Sequence, residues 1–429
     1  MKLLIKGGRV IDPANGLNAI MNILVEEGRI AAVGKDVNDP EAEVINARSK
    51  LVCPGFIDMH VHFREPGQEY KEDITSGSYA AAAGGFTTVC CMPNTEPAID
   101  NAAVASFVRE RARKTGLVNV FPIGTITKGR SGNELSEMAE LVAAGCIAVS
   151  DDGSPVMRAD VMRNALSYAK MFDLPVLAHC EDLNLARDGQ MHEGYYSIIY
   201  GLKGIPAEAE DVMIARDILL AGLTGGHLHV CHISTRGAAE LIRQAKERGI
   251  RVTCEVTPHH LILTDEIVGS YDADTKVNPP LRSEEHVLAL REALKEGIID
   301  CIATDHAPHH QESKDCEYAL AAPGISGLET AVALIMDKLV NPGIIKIEQM
   351  VSLFTSGPAS VLGLDRGSLS VGKVADITIL DPKAVKTVDI NKFYSKGKNT
   401  PFKGMELKGW PYMTILAGKI VACDGEILG

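Results

Sequence analysis

The chain has 429 residues, 46% hydrophobic and 23% charged, with a formal net charge of −13. Its length exceeds what one small core needs and implies a large domain plus a smaller one, with the apolar and charged balance of an ordinary soluble globular protein. The negative charge argues against nucleic acid or an anionic membrane as partner, while local Arg and His leave an anionic substrate open.

Residues 1 to about 52 alternate and turn. Lys2–Asp12, Ile20–Val25 and Arg29–Gly34 read as strands, with a hairpin turn at Glu26-Glu27-Gly28. No helix pattern follows Gly7-Gly8, so this is not a dinucleotide loop. From about residue 54 the rhythm becomes strand, loop, helix. Apolar strand cores recur at Leu51–Ile57, Thr87–Met92, Val118–Ile123, Cys146–Ser150, Pro175–His179, His227–His232, Arg251–Val256 and Ile299–Thr304. Helical faces lie between them: Leu135, Met138, Leu141 and Val142 stopped by Gly145; Ala239, Leu241, Ile242 and Ala245 ending at Gly249; and a helix capped by Ser283 and closed by Gly297. Eight strands interleaved with helices predict an α/β fold of the (β/α)8 TIM-barrel type, with a doubly wound sheet as the alternative. After about residue 363 the β character returns, in a turn and strand over 367–381 and a strand over 413–421. The predicted division is residues 1–53 and 363–429 pairing into one small composite β-sandwich, and 54–362 as the barrel.

Ten cysteines without a CxxC pair indicate neither a zinc ribbon nor a disulfide framework, and their apolar neighbours suggest buried free thiols in a reducing compartment. Met1-Lys2-Leu3 opens on a strand-like pattern, and no apolar run reaches membrane-spanning length. A cytoplasmic protein is expected.

The chemistry concentrates at Asp58-Met-His-Val-His-Phe-Arg64. Residues two apart on a strand share a side, so His60 and His62 project together toward one metal ion, and Arg64, continuing the alternation, can meet an anion beside it. An HxH pair alone is weak; in a barrel, however, the carboxyl ends of the strands converge. Those ends carry His60 and His62, Asp151-Asp152, His179, His232 and Asp305. This N/O donor set suits Zn²⁺ and tolerates Mn²⁺ or Co²⁺, and its size favours two ions sharing a bridging carboxylate.

Several segments carry a family resemblance: Pro54-Gly-Phe-Ile-Asp-Met-His-Val-His-Phe-Arg-Glu-Pro-Gly67, Cys91-Met-Pro-Asn-Thr95, Ser150-Asp-Asp-Gly153, Ala178-His-Cys-Glu-Asp182, His229-Val-Cys-His-Ile-Ser234, Val277-Asn-Pro-Pro-Leu-Arg282 and Ala303-Thr-Asp-His-Ala-Pro-His309. Through the whole barrel, the chain resembles the long bacterial dihydroorotases of the amidohydrolase superfamily. The resemblance implies that His60, His62 and Asp305 hold one zinc and His179 with His232 the other, two ions per subunit, with Asp152 bridging. Asp151 is the competing bridge. Many superfamily members use a carboxylated lysine there, and Ala148-Val-Ser-Asp-Asp-Gly153 offers none.

The resemblance also implies reversible hydrolysis of (S)-dihydroorotate to N-carbamoyl-L-aspartate in pyrimidine biosynthesis. Water activated at the metals attacks the ring amide, and Asp305 serves as general base and then acid. Arg64, Asn94 and His309 would hold the substrate carboxylate, with His62 bordering them. Asn278 and the backbone at Pro323-Gly324 would bind the ring's amide edge. A homodimer and a complex with aspartate transcarbamoylase are left open as assemblies.

Cys180 and Cys231 are expected to pack behind the barrel. His227, His229, His259, His260 and His310 are read as structural, Glu255 as a candidate orienting group, and 306–330 as a lid or a static loop. Two rival functions remain. One is a hydantoinase-like cyclic-amide hydrolase, which typically carries the lysine ligand missing here. The other is a non-catalytic scaffold for a partner enzyme, which usually has lost ligands retained here.

Overall fold

A computed structural model describes residues 2–428. The N-terminal unit comprises β1 (Lys2–Asp12), β2 (Leu17–Glu26), β3 (Arg29–Gly34), β4 (Glu43–Asn46) and β5 (Leu51–Pro54). The predicted strand Leu51–Ile57 is in fact two. Leu51–Pro54 pairs with β1, and after Gly55 the chain enters the barrel as β6 (Phe56–Val61). A side chain at Gly55 would sit 2.2 Å from the Thr87 hydroxyl, so the chain changes sheets where only glycine fits.

The barrel continues through β7 (Phe86–Cys91), β8 (Asn119–Pro122), β9 (Val149–Ser150) and β10 (Val176–Ala178). A short parallel ribbon follows, β11 (Met191–His192) with β12 (Gly204–Ile205), and then β13 (Leu228–Val230), β14 (Val252–Val256) and β15 (Cys301–Ile302). The pairs β6–β7–β8 and β9–β10–β13–β14–β15 are all parallel. Bridges Gly124–Val149 and Val61–His306 join the two groups, closing an eight-stranded barrel. Met59, Cys90, Ile123, Leu177, Cys231 and Cys301 form one buried cluster. Residues from strands all around the ring can touch each other only inside it. Burial on both faces explains why these strands read as unbroken apolar runs.

The predicted helices appear as Met138–Ala143, Arg236–Glu247 and Glu284–Lys295, each followed by a glycine at positive φ: Gly145, Gly249 and Gly297. Ser283 stands at the N-cap position of the third, but its hydroxyl makes no capping bond.

The C-terminal unit adds β16 (Ile377–Thr387), β17 (Glu406–Leu416), β18 (Lys419–Cys423) and β19 (Glu426–Ile427). The predicted strand over 413–421 is therefore a hairpin, turning at Ala417-Gly418 with φ of 45° and 78°. β16 pairs antiparallel with β5, so both chain ends share one nine-stranded sheet around a common core of Leu3, Ile23, Val52, Ile377 and Ile415. The Glu27-Gly28 turn packs on the Ala417-Gly418 turn, where a side chain at Gly28 would lie 2.7 Å from the Ala417 carbonyl oxygen. Between β16 and β17 the chain leaves the sheet, and residues 393–400 lie against the barrel loops that follow β6 and β15.

No helix of the described residues is long and apolar enough to cross a membrane. All ten cysteines are free; eight are buried, whereas Cys316 is exposed. The 306–330 segment is tied down. The Lys276 ammonium donates to the carbonyls of Tyr318 and Ala319, both at 2.9 Å, and that of Lys314 to Ala273 and Ala322, both at 2.8 Å.

Candidate metal centre

The six N/O candidates meet at the carboxyl end of the barrel. His60 lies within β6 and His62 just beyond it; Asp152, His179, His232 and Asp305 sit in the first residues after β9, β10, β13 and β15. All six are buried. His60, His62 and Asp305 form one group of converging ligand atoms, and Asp152, His179 and His232 another. In the first, His62 Nε2 is 2.9 Å and His60 Nε2 3.5 Å from Asp305 Oδ1. In the second, His179 Nδ1 and His232 Nε2 approach to 3.0 Å.

Asp152 stands between the groups. Its Oδ1 is 3.4 Å from both His60 Nε2 and His232 Nε2 and 3.6 Å from His179 Nδ1, and its Oδ2 is 3.5 Å from His62 Nε2. Asp151 faces away. Its carboxylate accepts the backbone N–H groups of Ile126 (2.9 Å) and Thr127 (3.1 Å) and the Thr127 hydroxyl.

This cluster fits a divalent cation pair. Four imidazoles from two groups crowd the Asp152 carboxylate, and the nitrogens of His179 and His232 face each other with only a proton or a cation able to bind them together. His60 Nε2, His179 Nε2 and His232 Nδ1 are buried without a hydrogen-bond partner. Burial opposes charge here, yet the neighbouring charges prevail: the His60 charge and the bonds from His179 and His232 hold the Asp152 carboxyl well below its usual range. For His179, burial is likewise outweighed by Asp152 and Glu181, pushing it up to about 10. The pocket is thus built for positive charge, and the all-N/O donor set matches zinc, manganese or cobalt.

Supporting bonds aim the ligands. Glu255 Oε1 lies 2.6 Å from His60 Nδ1, and Asn94 Oδ1 lies 2.8 Å from His62 Nδ1. Each takes the Nδ1–H, turning Nε2 inward. Glu255 Oε2 also meets His229 Nε2 at 3.3 Å. Asp58 accepts the N–H groups of His60 and Thr304, both at 3.1 Å, and the Thr304 hydroxyl at 2.6 Å, tying the first strand to the last beside Asp305. His232 (φ 33°) and Asp305 (φ 47°) occupy left-handed backbone, a strained placement that persists only where surroundings over-determine it. Replacing Glu255 by Gln keeps an acceptor but removes the charge, and is expected to weaken metal affinity about 10- to 100-fold in chelator competition; unchanged affinity would remove Glu255 from this role.

Two expectations are corrected. Cys231 points not behind the barrel but into it, beside His60 and Asp152. Its strand ends at Val230, so alternation no longer applies. Cys180 does face outward, its Sγ 4.0 Å from Asp217 Oδ2. Arg64 likewise breaks alternation, with φ 60°. Among the other histidines, His260 is satisfied by Thr257 Oγ1 (2.8 Å) and the Pro279 carbonyl (3.0 Å), whereas His259 Nε2 is buried without a partner.

The substrate-set residues surround the same mouth. Arg64 is 8% exposed, yet its guanidinium makes no hydrogen bond or ion pair among the described residues. His309 Nε2 lies 2.9 Å from the Pro323 carbonyl, and its Nδ1 is unpartnered. Burial, followed by the Arg64 charge, pushes His309 down to about 2, so in the absence of an anion it is neutral. Asn278 donates to Glu181 Oε2 at 3.3 Å and leaves its own Oδ1 free. Gly324, at φ 147°, adopts backbone reserved for glycine. A cavity of about 440 Å³ bordered by Glu181, Lys276, Asn278 and Pro323 adjoins them.

Two family models match the chain, one of dihydro-orotase-like proteins over residues 49–238 and one of the amidohydrolase family over residues 222–422. Among solved structures, the L-hydantoinase (dihydropyrimidinase) from Arthrobacter aurescens superposes with a TM-score of 0.90 at 28% identity, covering 100% of this chain and 97% of that one. The dihydropyrimidinase from Brevibacillus agri, at 24% identity and a TM-score of 0.87 over 100% and 96% of the two chains, shares the fold. Barrel and mouth cluster together define the class, a metal-dependent cyclic-amide hydrolase. Much higher identity relates the chain to proteins named dihydroorotase: 56% over 427 residues and 100% of both chains for that of Pelotomaculum thermopropionicum, and 53% over 422 residues, 98% of this chain and 99% of the relative, for that of Geobacter metallireducens. The chain belongs to the dihydroorotase family.

Proposed function

We propose that the barrel, residues 54–362, interconverts (S)-dihydroorotate and N-carbamoyl-L-aspartate, a step of pyrimidine biosynthesis in the cytoplasm. The observation that carries this reading is Arg64, a buried guanidinium that feels the Asp305 and Asp152 charges at the edge of the histidine–aspartate cluster but whose Nε has no hydrogen-bond partner. A buried, unpaired cation is costly unless a ligand completes it, and the carboxylate of dihydroorotate is such a ligand, received by a bidentate fork. Neutral rings such as dihydrouracil offer Arg64 nothing.

His60, His62 and Asp305 would hold one zinc ion and His179 with His232 the other, with Asp152 shared; manganese or cobalt would substitute. The metals supply water activation at neutral pH and polarisation of the ring carbonyl. Asp305 takes the attacking water's proton on its carboxylate and returns it to the departing ring nitrogen, as base and then acid. Asn94, with its Oδ1 held by His62, presents its amide N–H groups to the substrate carboxylate; His309, whose Nε2–H is taken by the Pro323 carbonyl, joins it through Nδ1 only as the imidazolium that the bound anion favours. Asn278 Oδ1 and the Gly324 backbone receive the ring's amide edge.

Purified protein with metal should turn over dihydroorotate far faster than dihydrouracil; equal rates would refute the assignment. Ring closure removes one carboxylate and takes up one proton. The equilibrium ratio of dihydroorotate to carbamoyl aspartate should therefore fall about tenfold per unit rise in pH above the carboxylate range. Cyclisation is favoured in mild acid and hydrolysis in base, as progress curves run from both directions at several pH values will show.

A further inference from the structure

We propose that Asn399, which belongs to the C-terminal segment rather than to the barrel, is the positioning residue of the substrate subsite, setting His309 and Gly324 at the spacing the substrate requires. The inference rests on the substrate roles proposed above for those two residues. Asn399 lies in the excursion between β16 and β17 and is 4% exposed. Its side-chain amide joins both loops of the subsite. Nδ2 donates to the carbonyls of Ala307 at 3.1 Å and Gly324 at 2.9 Å, and Oδ1 accepts the His309 N–H at 3.0 Å. The Ser326 hydroxyl lies 3.0 Å from the same Oδ1 and 2.9 Å from the Gly397 carbonyl, and the Ser326 N–H donates to the Asn399 carbonyl at 2.7 Å.

A planar amide carrying two donors and an acceptor in fixed geometry is what can clamp a carbonyl of one loop and an N–H of the other. Asp has no donors for the two carbonyls, and Ala has neither function. The fit around the clamp is close: a side chain at Gly397 would lie 2.5 Å from Pro308 Cβ and 2.8 Å from the His309 nitrogen. None of these contacts reaches the metal-ligand atoms, so the clamp acts on substrate placement rather than on the ions.

The test uses the metal-loaded full chain. Asn399→Ala and Asn399→Asp should raise KM for dihydroorotate and for carbamoyl aspartate by about tenfold or more, with kcat changed much less and metal content equal to wild type, the pattern of lost binding shared by ground and transition states. Gly397→Ala, which keeps the Asn399 amide but sets a methyl 2.8 Å from both Asn399 Oδ1 and the His309 nitrogen and so disturbs the clamp between them, should shift KM the same way, and it carries the test if the Asn399 variants fail to fold. His309→Ala is the reference. If it raises KM while Asn399→Ala and Gly397→Ala leave KM within about twofold of wild type, the positioning role is overturned. If His309→Ala itself leaves KM unchanged, the substrate subsite was misassigned. A fall in metal content or kcat at constant KM would also overturn the proposal, because it would place Asn399 in support of the ions or of the fold as a whole.

Discussion

Asp305→Asn is expected to lower kcat by at least about a thousandfold in both directions with KM little altered, measured with saturating metal. The substitution is gentle on the fold. Asn tolerates left-handed backbone as Asp does, so the φ of 47° adds no new strain. The shape of the side chain is also kept, and an Oδ1 remains to face His62 Nε2, 2.9 Å away in the parent. What disappears is the negative charge and the ability to take a proton. Burial alone would raise the Asp305 carboxyl, but the bond from His62 and the charge of His60 hold it far below the usual carboxylate range. It is thus a carboxylate at every working pH. Retention of more than about a tenth of the activity would take Asp305 out of proton transfer.

Asp152→Ala is the second large effect. Its two oxygens lie within 3.4 to 3.6 Å of nitrogens on His60, His62, His179 and His232, so one truncation removes the carboxylate that faces both groups. Four converging imidazoles without that anion should lose divalent affinity by about a hundredfold or more, and activity with it. Chelator competition and metal analysis after dialysis measure the loss. Asp151→Ala serves as the contrast. It breaks bonds to Ile126 and Thr127 and should lower melting temperature while leaving the metal in place. If the two variants exchange behaviour, the bridge is Asp151.

Much of this was legible in the residues. Strands of a closed parallel barrel are buried on both faces and stand out as apolar runs, and polar ligand types interrupt those runs just where the strands end, which is why His60, His62, Asp152, His179, His232 and Asp305 could be collected without coordinates. Errors arose where a regular alternation was extended past the end of a strand. Cys231 lies just past the end of its strand and turns into the barrel, whereas Arg64 reaches the expected cluster on left-handed rather than extended backbone. Leu51–Ile57 and the 413–421 run each hid a change of partner strand, because a glycine at a sheet crossing and a tight turn leave little mark on hydrophobicity. Asn399 carried no signal at all. It sits in a polar stretch some ninety positions from the loops it joins, and nothing local marks a contact made only in three dimensions.

The pairing of β5 with β16 also has a bearing on biosynthesis. Without β16, the strand leading into the barrel presents an open edge and the small β unit lacks Ile377, Ile379, Met413 and Ile415 from its core. Such an edge invites pairing with other chains. A chain cut short before β16 should therefore accumulate as aggregate rather than as a smaller working enzyme.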